Sequence, residues 1–370
     1  MSARNVIRDY RALFLQHTAM IDLRAPAEFA RGAFPSACSL PLMSDDERAS
    51  VGIRYKQQGQ DAAIALGHRL VAGERKAARL ARWQAFAERY PAGALYCWRG
   101  GLRSQTVQQW LAEVGIDYPR VEGGYKAMRG FLLNSLQDNA AQLPIILVSG
   151  RTGTGKTRVI ERLARAVDLE GLANHRGSSF GQLPSPQPAQ IQFENSISIA
   201  LLRLRDANDA PVLLEDEGRL VGRLSLPELL RAKMKHAPMV IVDEPLASRV
   251  DVVLQDYVVD LGKRYVCLHG VAGLQLHAEK MLADLGNIRK RLGGDRFVRV
   301  HAMMQEAFRQ QLDSGVTEPH RQWIALLLQQ YYDPMYQYQL ERREGKPLFA
   351  GSRADVLAWA KAQENRAAGR

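Results

Sequence analysis

The sequence predicts an α/β protein: two consecutive parallel-sheet domains followed by a helical C-terminal extension. Three observations carry that prediction. Short apolar runs alternate with helical spacing over residues 1–137, as in a sheet whose helices cover its faces. A fresh apolar run, Ile145–Ser149, leads straight into a glycine-rich loop and renewed helical spacing, opening a domain over 138–270. From 271 to 370 the pattern is helical and rich in Arg, Gln and Tyr.

Size and composition agree with this reading. A chain of 370 residues exceeds one ordinary core, and 46% hydrophobic with 24% charged residues describes a soluble globular protein. No apolar run reaches the roughly 18 residues of a membrane span. The opening MSARNVIRDYRALF lacks a signal-peptide apolar stretch, so a cytoplasmic location is expected. Cys38, Cys97 and Cys267 have neither disulfide nor zinc spacing, and no metal site or tightly bound cofactor is predicted. Cys38 and Cys267 sit in apolar surroundings and are expected to be small buried residues. The net charge of +11 favours a polyanionic partner.

In the first domain, Met20–Arg24 and Ala94–Trp98 read as strands. Lys76–Tyr90, Gln105–Val114 and Tyr125–Leu136 read as helices. Residues 44–75 form an insertion-like stretch. The polar run 136–144, closed by Pro144, reads as the connection between domains.

The chemistry of this domain centres on Cys97. The cysteine ends a strand and is followed by Trp98, Arg99, Gly100, Gly101, Leu102 and Arg103 before a helix begins. Such a loop curls its amides around the sulfur, and the next helix N-terminus adds its dipole. Gly100 and Gly101 allow close backbone approach, while Arg99 and Arg103 supply positive charge. Each effect favours thiolate, so Cys97 is expected to be a nucleophile with Trp98–Arg103 as its anion loop. Cys-x5-Arg-Ser is also the spacing of cysteine phosphatases, but Tyr96 stands where those enzymes usually carry histidine. Upstream, Asp22, Arg24, Pro26, Glu28, Phe29, Gly32, Pro35, Ala37 and Pro41–Leu42 resemble the rhodanese signature, and 121–131 resembles the segment that closes a rhodanese domain. The resemblance implies a rhodanese-like domain with a chalcogen-handling cysteine, in which Arg24 and Glu28 brace the fold.

In the second domain, Gly150, Arg151, Thr152, Gly153, Thr154, Gly155, Lys156 and Thr157 satisfy G-x-x-x-x-G-K-[ST]. Consecutive amides would cradle phosphate oxygens, Lys156 would add a point charge, and Thr157 would be able to hold Mg²⁺. Helical spacing continues through 159–167, and 211–215 and 238–244 read as later strands. Glu215, Asp216 and Glu217 on one strand end, and Asp243 and Glu244 on the other, are the candidate acidic partners. The pattern predicts a phosphate or diphosphate site without naming its ligand.

Taken together, 96–105, 123–129, 149–157, 174–181 and 190–197 resemble the tRNA 2-selenouridine synthase family. That resemblance implies an enzyme converting wobble 2-thiouridine in tRNA to 2-selenouridine through an S-geranyl intermediate. Geranyl diphosphate and selenophosphate would be co-substrates, with a selenophosphate-supplying enzyme as a candidate partner. Arg289, Lys290, Arg291, Arg296 and Arg299 are the candidate tRNA contacts, and Tyr331, Tyr332, Tyr336 and Tyr338 either stack on bases or pack helices. A rhodanese-type sulfurtransferase with a regulatory nucleotide-binding domain stays open as the alternative. Neither the geranyl pocket nor the oligomeric state is legible.

Overall fold

The computed structural model describes residues 5–368, with side chains to Asn365. The chain forms two compact units. One comprises the chain up to Asp138 together with Ala189–Arg203; the other comprises Asn139–Pro188 and the chain from Leu204 onward.

The first unit is built on five parallel strands: β1 (Val6–Ile7), β2 (Met20–Asp22), β3 (Ala37–Ser39), β4 (Ala94–Tyr96) and β5 (Arg120–Val121), in the order β1-β5-β4-β2-β3. The interior strands β2 and β4 are buried along their whole length, as a sheet covered on both faces requires. One face packs Leu23, Trp83, Val107 and Leu111; the other packs Phe14, Phe34, Tyr125 and Met128. Burying Trp83 leaves its indole N–H needing an acceptor, and the Leu40 carbonyl supplies one at 3.0 Å.

The insertion-like stretch becomes the helix Asp45–Leu70. Ser44 and Glu47 form its capping box, and Gly59 at φ +81° kinks it. Cys38 is exposed on β3 and Cys267 on a later helix, so neither is the buried small residue expected. The polar run 136–144 is not a loop. The helix Gly124–Gln142 carries through it, because Leu136 and Ala140 continue its buried stripe.

The second unit carries a parallel sheet of β6 (Ile145–Ser149), β7 (Ala166–Val167), β8 (Val212–Glu215), β11 (Met239–Val242) and β12 (Pro347–Gly351), ordered β12-β11-β6-β8-β7. The hairpin of β9 (Leu220–Val221) and β10 (Leu224–Ser225) stands apart from it. Two expectations are corrected here. Helical structure after the glycine-rich loop ends at Ile160, and Ala166–Val167 is a strand. Arg165 explains the early stop: its guanidinium donates to the carbonyls of Leu204, Asn208 and Ala210, tying this turn to neighbouring chain. Secondly, 271–370 is not purely a helical extension. Residues 347–351 add β12 to the sheet edge, and the helix Arg353–Ala368 buries Val356 and Ala360 against Val159 and Ile160. The remaining helices share one core with 246–265, including Val258, Met281, Phe308 and Trp323.

Candidate active site

The cysteine loop lies in the first unit. Cys97 follows β4, is buried, and places Sγ 3.4 Å from the Ser104 hydroxyl, which donates to the Gly101 carbonyl at 2.9 Å. The next helix starts at Leu102, earlier than its spacing predicts, so its first turn belongs to the loop. Two glycine pairs make this fold possible. A Cβ on Gly124 (φ +58°) would lie 2.2 Å from the Cys97 carbonyl oxygen, and one on Gly100 (φ +65°) would lie 2.7 Å from that of Val121. In their absence the Tyr125 and Lys126 amides reach the carbonyls of Cys97 and Trp98 at 2.9 and 3.0 Å.

The loop's two arginines differ. Arg99 is exposed, whereas Arg103 is paired with Glu28 at 2.9 Å, so its charge is partly engaged in holding the loop against the Pro26–Ala30 helix. Arg103 also holds the Glu28 carboxyl below its usual range, against the opposing effect of burial. Trp98 stacks on Tyr125, their rings 5.3 Å apart. Arg24 is wholly buried: it pairs with Asp22 at 2.6 Å, donates to the Gly32 carbonyl and lies 3.7 Å over the Tyr125 ring. Tyr96 donates to the same Asp22 at 2.7 Å. A buried ion pair this fully satisfied braces the sheet, and losing one partner would cost about 3–5 kcal/mol. Two family-like segments also meet here, since Arg129 binds both Glu194 and Asn195 from the helix Gln190–Ala207.

The phosphate loop lies in the second unit, between β6 and the short helix Lys156–Ile160. Gly150, Gly153 and Gly155 all have positive φ, and a Cβ on Gly150 would meet the Val242 carbonyl at 2.6 Å. Lys156 Nζ donates to the Gly150 carbonyl at 3.1 Å, arched over the loop it would share with a phosphate. Thr154 donates back to the Arg151 carbonyl. Thr152 accepts from buried Arg249, an interaction nothing in the motif announces.

Of the candidate acids, Glu215 is the one joined to the loop. It is buried at the end of β8 and accepts from Thr157 Oγ1 at 2.8 Å and from the Glu170 amide at 3.0 Å. Burial, then the charges of Glu170 and Asp168, push its carboxyl up to about 8. Asp216 faces Ser149, which donates to it at 2.7 Å, and pairs with Arg343. Asp243 does not reach Thr157; it is largely exposed and pairs with Arg151 at 2.6 Å. A polar strand end in sequence does not reveal which end faces the loop.

Sequence reasoning passed over Glu170, whereas Glu217 was one of the candidate acids. Burial and the neighbouring Glu170 carboxylate raise the Glu217 carboxyl well above its ordinary value, while Lys156 opposes the shift. Glu170 also accepts from the Gly177 amide at 2.6 Å. Among the described residues, no group of three or more His, Cys, Asp or Glu is placed to hold a metal ion. Thr157 and Glu215 are nevertheless hard oxygen donors that fit Mg²⁺, whose remaining ligands are commonly water and substrate phosphate.

These groups open into a cleft of about 1360 Å³ within the second unit. Arg176 and Ser178 line it from the segment 174–181, with Arg219, Arg264, Arg342 and Arg343 from elsewhere. Asp256 anchors Arg158 and Arg176 at 2.9 Å each. The five proposed tRNA contacts are all exposed on two consecutive helices, Arg289–Leu292 and Gly294–Ser314, and Arg291 also lines the cleft. Arg289 lies over the Phe297 ring at 5.0 Å. Tyr331 and Tyr332 are buried, Tyr336 meets Ser149 at 3.3 Å, and Tyr338 is exposed. All four border the cleft.

Residues 143–367 match the family model described as the tRNA 2-selenouridine synthase AAA domain. Proteins named tRNA 2-selenouridine synthase from Pseudomonas syringae and Pseudomonas putida are 51% and 52% identical to this chain over 95% and 97% of its length. These alignments cover 96% and 97% of the relatives. One from Cupriavidus pinatubonensis is 50% identical over 97% of the chain and 98% of its own length. The chain belongs to the tRNA 2-selenouridine synthase family.

Proposed function

We propose that this protein is a cytoplasmic tRNA-modifying enzyme that exchanges sulfur for selenium at wobble 2-thiouridine, first alkylating the sulfur and then displacing it. The observation that carries this reading is one chain bearing both a phosphate loop closed by Lys156 and Thr157 and a cysteine enclosed by its own anion loop.

A thiocarbonyl sulfur leaves a pyrimidine poorly, whereas an S-alkyl group leaves readily as a thiol. In the first step the sulfur attacks C1 of geranyl diphosphate. The C–O bond breaks, diphosphate departs with the electron pair, and the uracil N3 proton is lost. The amides of Gly150–Thr157 and the Lys156 ammonium stabilise the charge that builds on the departing diphosphate. Arg249 holds the Thr152 carbonyl and keeps the loop in shape. With Mg²⁺ bound at Thr157 and Glu215, the cation would supply further neutralisation of that charge.

In the second step selenophosphate adds its selenium at C2, geranyl thiol leaves with a proton, and water cleaves the P–Se bond to release phosphate. The Cys97 loop binds the selenium donor, with the Cys97 sulfur assisting delivery, and Arg99 is its exposed cation. The tRNA backbone meets Arg289, Lys290, Arg291, Arg296 and Arg299.

Mass spectrometry of 2-thiouridine tRNA incubated with the protein and each donor tests the scheme. The mass of an S-geranyl group is expected with geranyl diphosphate alone, and selenouridine when selenophosphate is added. Unmodified tRNA with both donors present would refute it.

A further inference from the structure

Beside the phosphate loop, against the cleft, lies a second cavity of about 20 Å³. Thr152, Ser178, Val253, Tyr257 and Tyr332 border both spaces, so the small cavity lies directly against the cleft behind these side chains. Its character changes abruptly. Beyond Thr152 and Ser178 the wall is Phe180, Val253, Met281, Trp323, Ile324, Leu327 and Leu328 with the Tyr257 and Tyr332 rings, and the Trp323 indole N–H is already donated to His320. A diphosphate cradle set against an apolar crevice matches an amphiphilic diphosphate ester with a hydrocarbon tail. It matches a nucleotide poorly, because a base or ribose buried there would leave its polar atoms without partners.

The geometry points to this crevice as the site of the prenyl chain, an assignment that rests on the reading that the phosphate loop binds a prenyl diphosphate. As it stands the space holds about one water molecule, so a ten-carbon tail enters by widening it. The surroundings suit that movement. Val253 and Tyr257 flank and occupy the π-helical turn Leu254–Asp260, while Leu328 and Tyr332 belong to a second, Leu328–Tyr332. In a π-helix the i→i+4 ladder is already interrupted, so its side chains shift without breaking regular helix. Met281, between them and the core, has an unbranched chain that repacks easily.

Two variants of opposite size test the assignment, each checked by thermal unfolding and by affinity for inorganic diphosphate. Met281→Phe fills the crevice, and Ile324→Ala enlarges it. Affinities for dimethylallyl, geranyl and farnesyl diphosphate are then measured by equilibrium titration. The wild type is expected to bind geranyl diphosphate more tightly than diphosphate, and Met281→Phe to weaken geranyl binding roughly tenfold, since each methylene buried is worth about fourfold. Dimethylallyl binding should change little, and Ile324→Ala should move the preference toward farnesyl. If both folded variants keep the wild-type order of chain lengths, the tail lies elsewhere and the inference fails while the prenyl reading survives. Wild-type affinity no greater for geranyl diphosphate than for diphosphate overturns both.

Discussion

Arg249 and Asp333 form a bidentate ion pair, with guanidinium nitrogens 2.5 and 3.0 Å from the two carboxylate oxygens, and the third guanidinium nitrogen donates to the Thr152 carbonyl at 2.9 Å. Arg249 is 1% exposed, so its charge depends on these partners. The pair therefore links the crest of the phosphate loop to the helix Asp333–Leu340. Asp333→Ala would strand a buried cation, and the expected loss is about 3 kcal/mol by denaturant unfolding. Diphosphate affinity should fall with it, because Thr152 loses its tether. An unchanged unfolding midpoint would show that the pair holds nothing.

Glu215 makes stability depend on pH in a definite direction. Its carboxyl is held at about 8, against 4.5 in an unperturbed chain. The folded protein thus binds a proton that the unfolded chain has lost between those values. That contribution is complete below about 4.5 and disappears as pH rises through about 8, with a slope of at most about 1.4 kcal/mol per pH unit. Glu215→Gln should flatten this part of the stability curve, whatever it does to the midpoint at one pH. Parallel curves for the two proteins would rule out a proton on Glu215.

The two chemical steps should separate by mutation. Lys156→Ala is expected to lower S-geranylation by two orders of magnitude or more, the scale seen when an anion-stabilising donor is lost. Cys97→Ala should leave geranylation intact and abolish selenation. Tandem mass spectrometry of digested tRNA distinguishes these products, and selenation by Cys97→Ala at the wild-type rate would remove the cysteine from the scheme.

Gly124 provides a purely conformational test. Gly124→Ala places a methyl group against the Cys97 carbonyl at a backbone angle that L-residues avoid, costing at least 1–3 kcal/mol by strain alone. Selenation should fall with it while geranylation persists. Gly101→Ala is the control, since a Cβ there meets nothing within 4 Å. Equal effects at both positions would contradict the interlocked loop.

Binding of tRNA should be steeply dependent on salt. Replacing Lys290 and Arg299 together with glutamine is expected to reduce the slope of log K against log salt by roughly one to two, about 0.7–0.9 per phosphate contact. An unaltered slope would move the RNA path away from these helices.

Much of this architecture was legible in local pattern. The strands at 145–149 and 212–215 are uninterrupted apolar runs, and the glycine spacing of 150–157 serves a loop whose conformation is written residue by residue. The cysteine loop was legible for the same reason: Gly100 and Gly101 directly follow the strand and precede the helix. Less was legible where a segment's partner lies far along the chain. Residues 347–351 are a strand because β11 offers an unpaired edge, and Phe349 then stacks on Trp359 at 6.0 Å.

By itself, the sequence determined where the two chemical loops lie, because the strand, the glycines and the following helix that make each one are consecutive in the chain. Only tertiary structure decided which acid serves Thr157, which arginine in the cysteine loop is paired with Glu28, and which apolar side chains border the phosphate loop. Those outcomes depend on burial and on contacts such as Arg249 with Asp333, whose partners stand 84 residues apart. Local spacing specifies backbone conformation, but charge pairing and cavity shape emerge only when distant segments exclude water together.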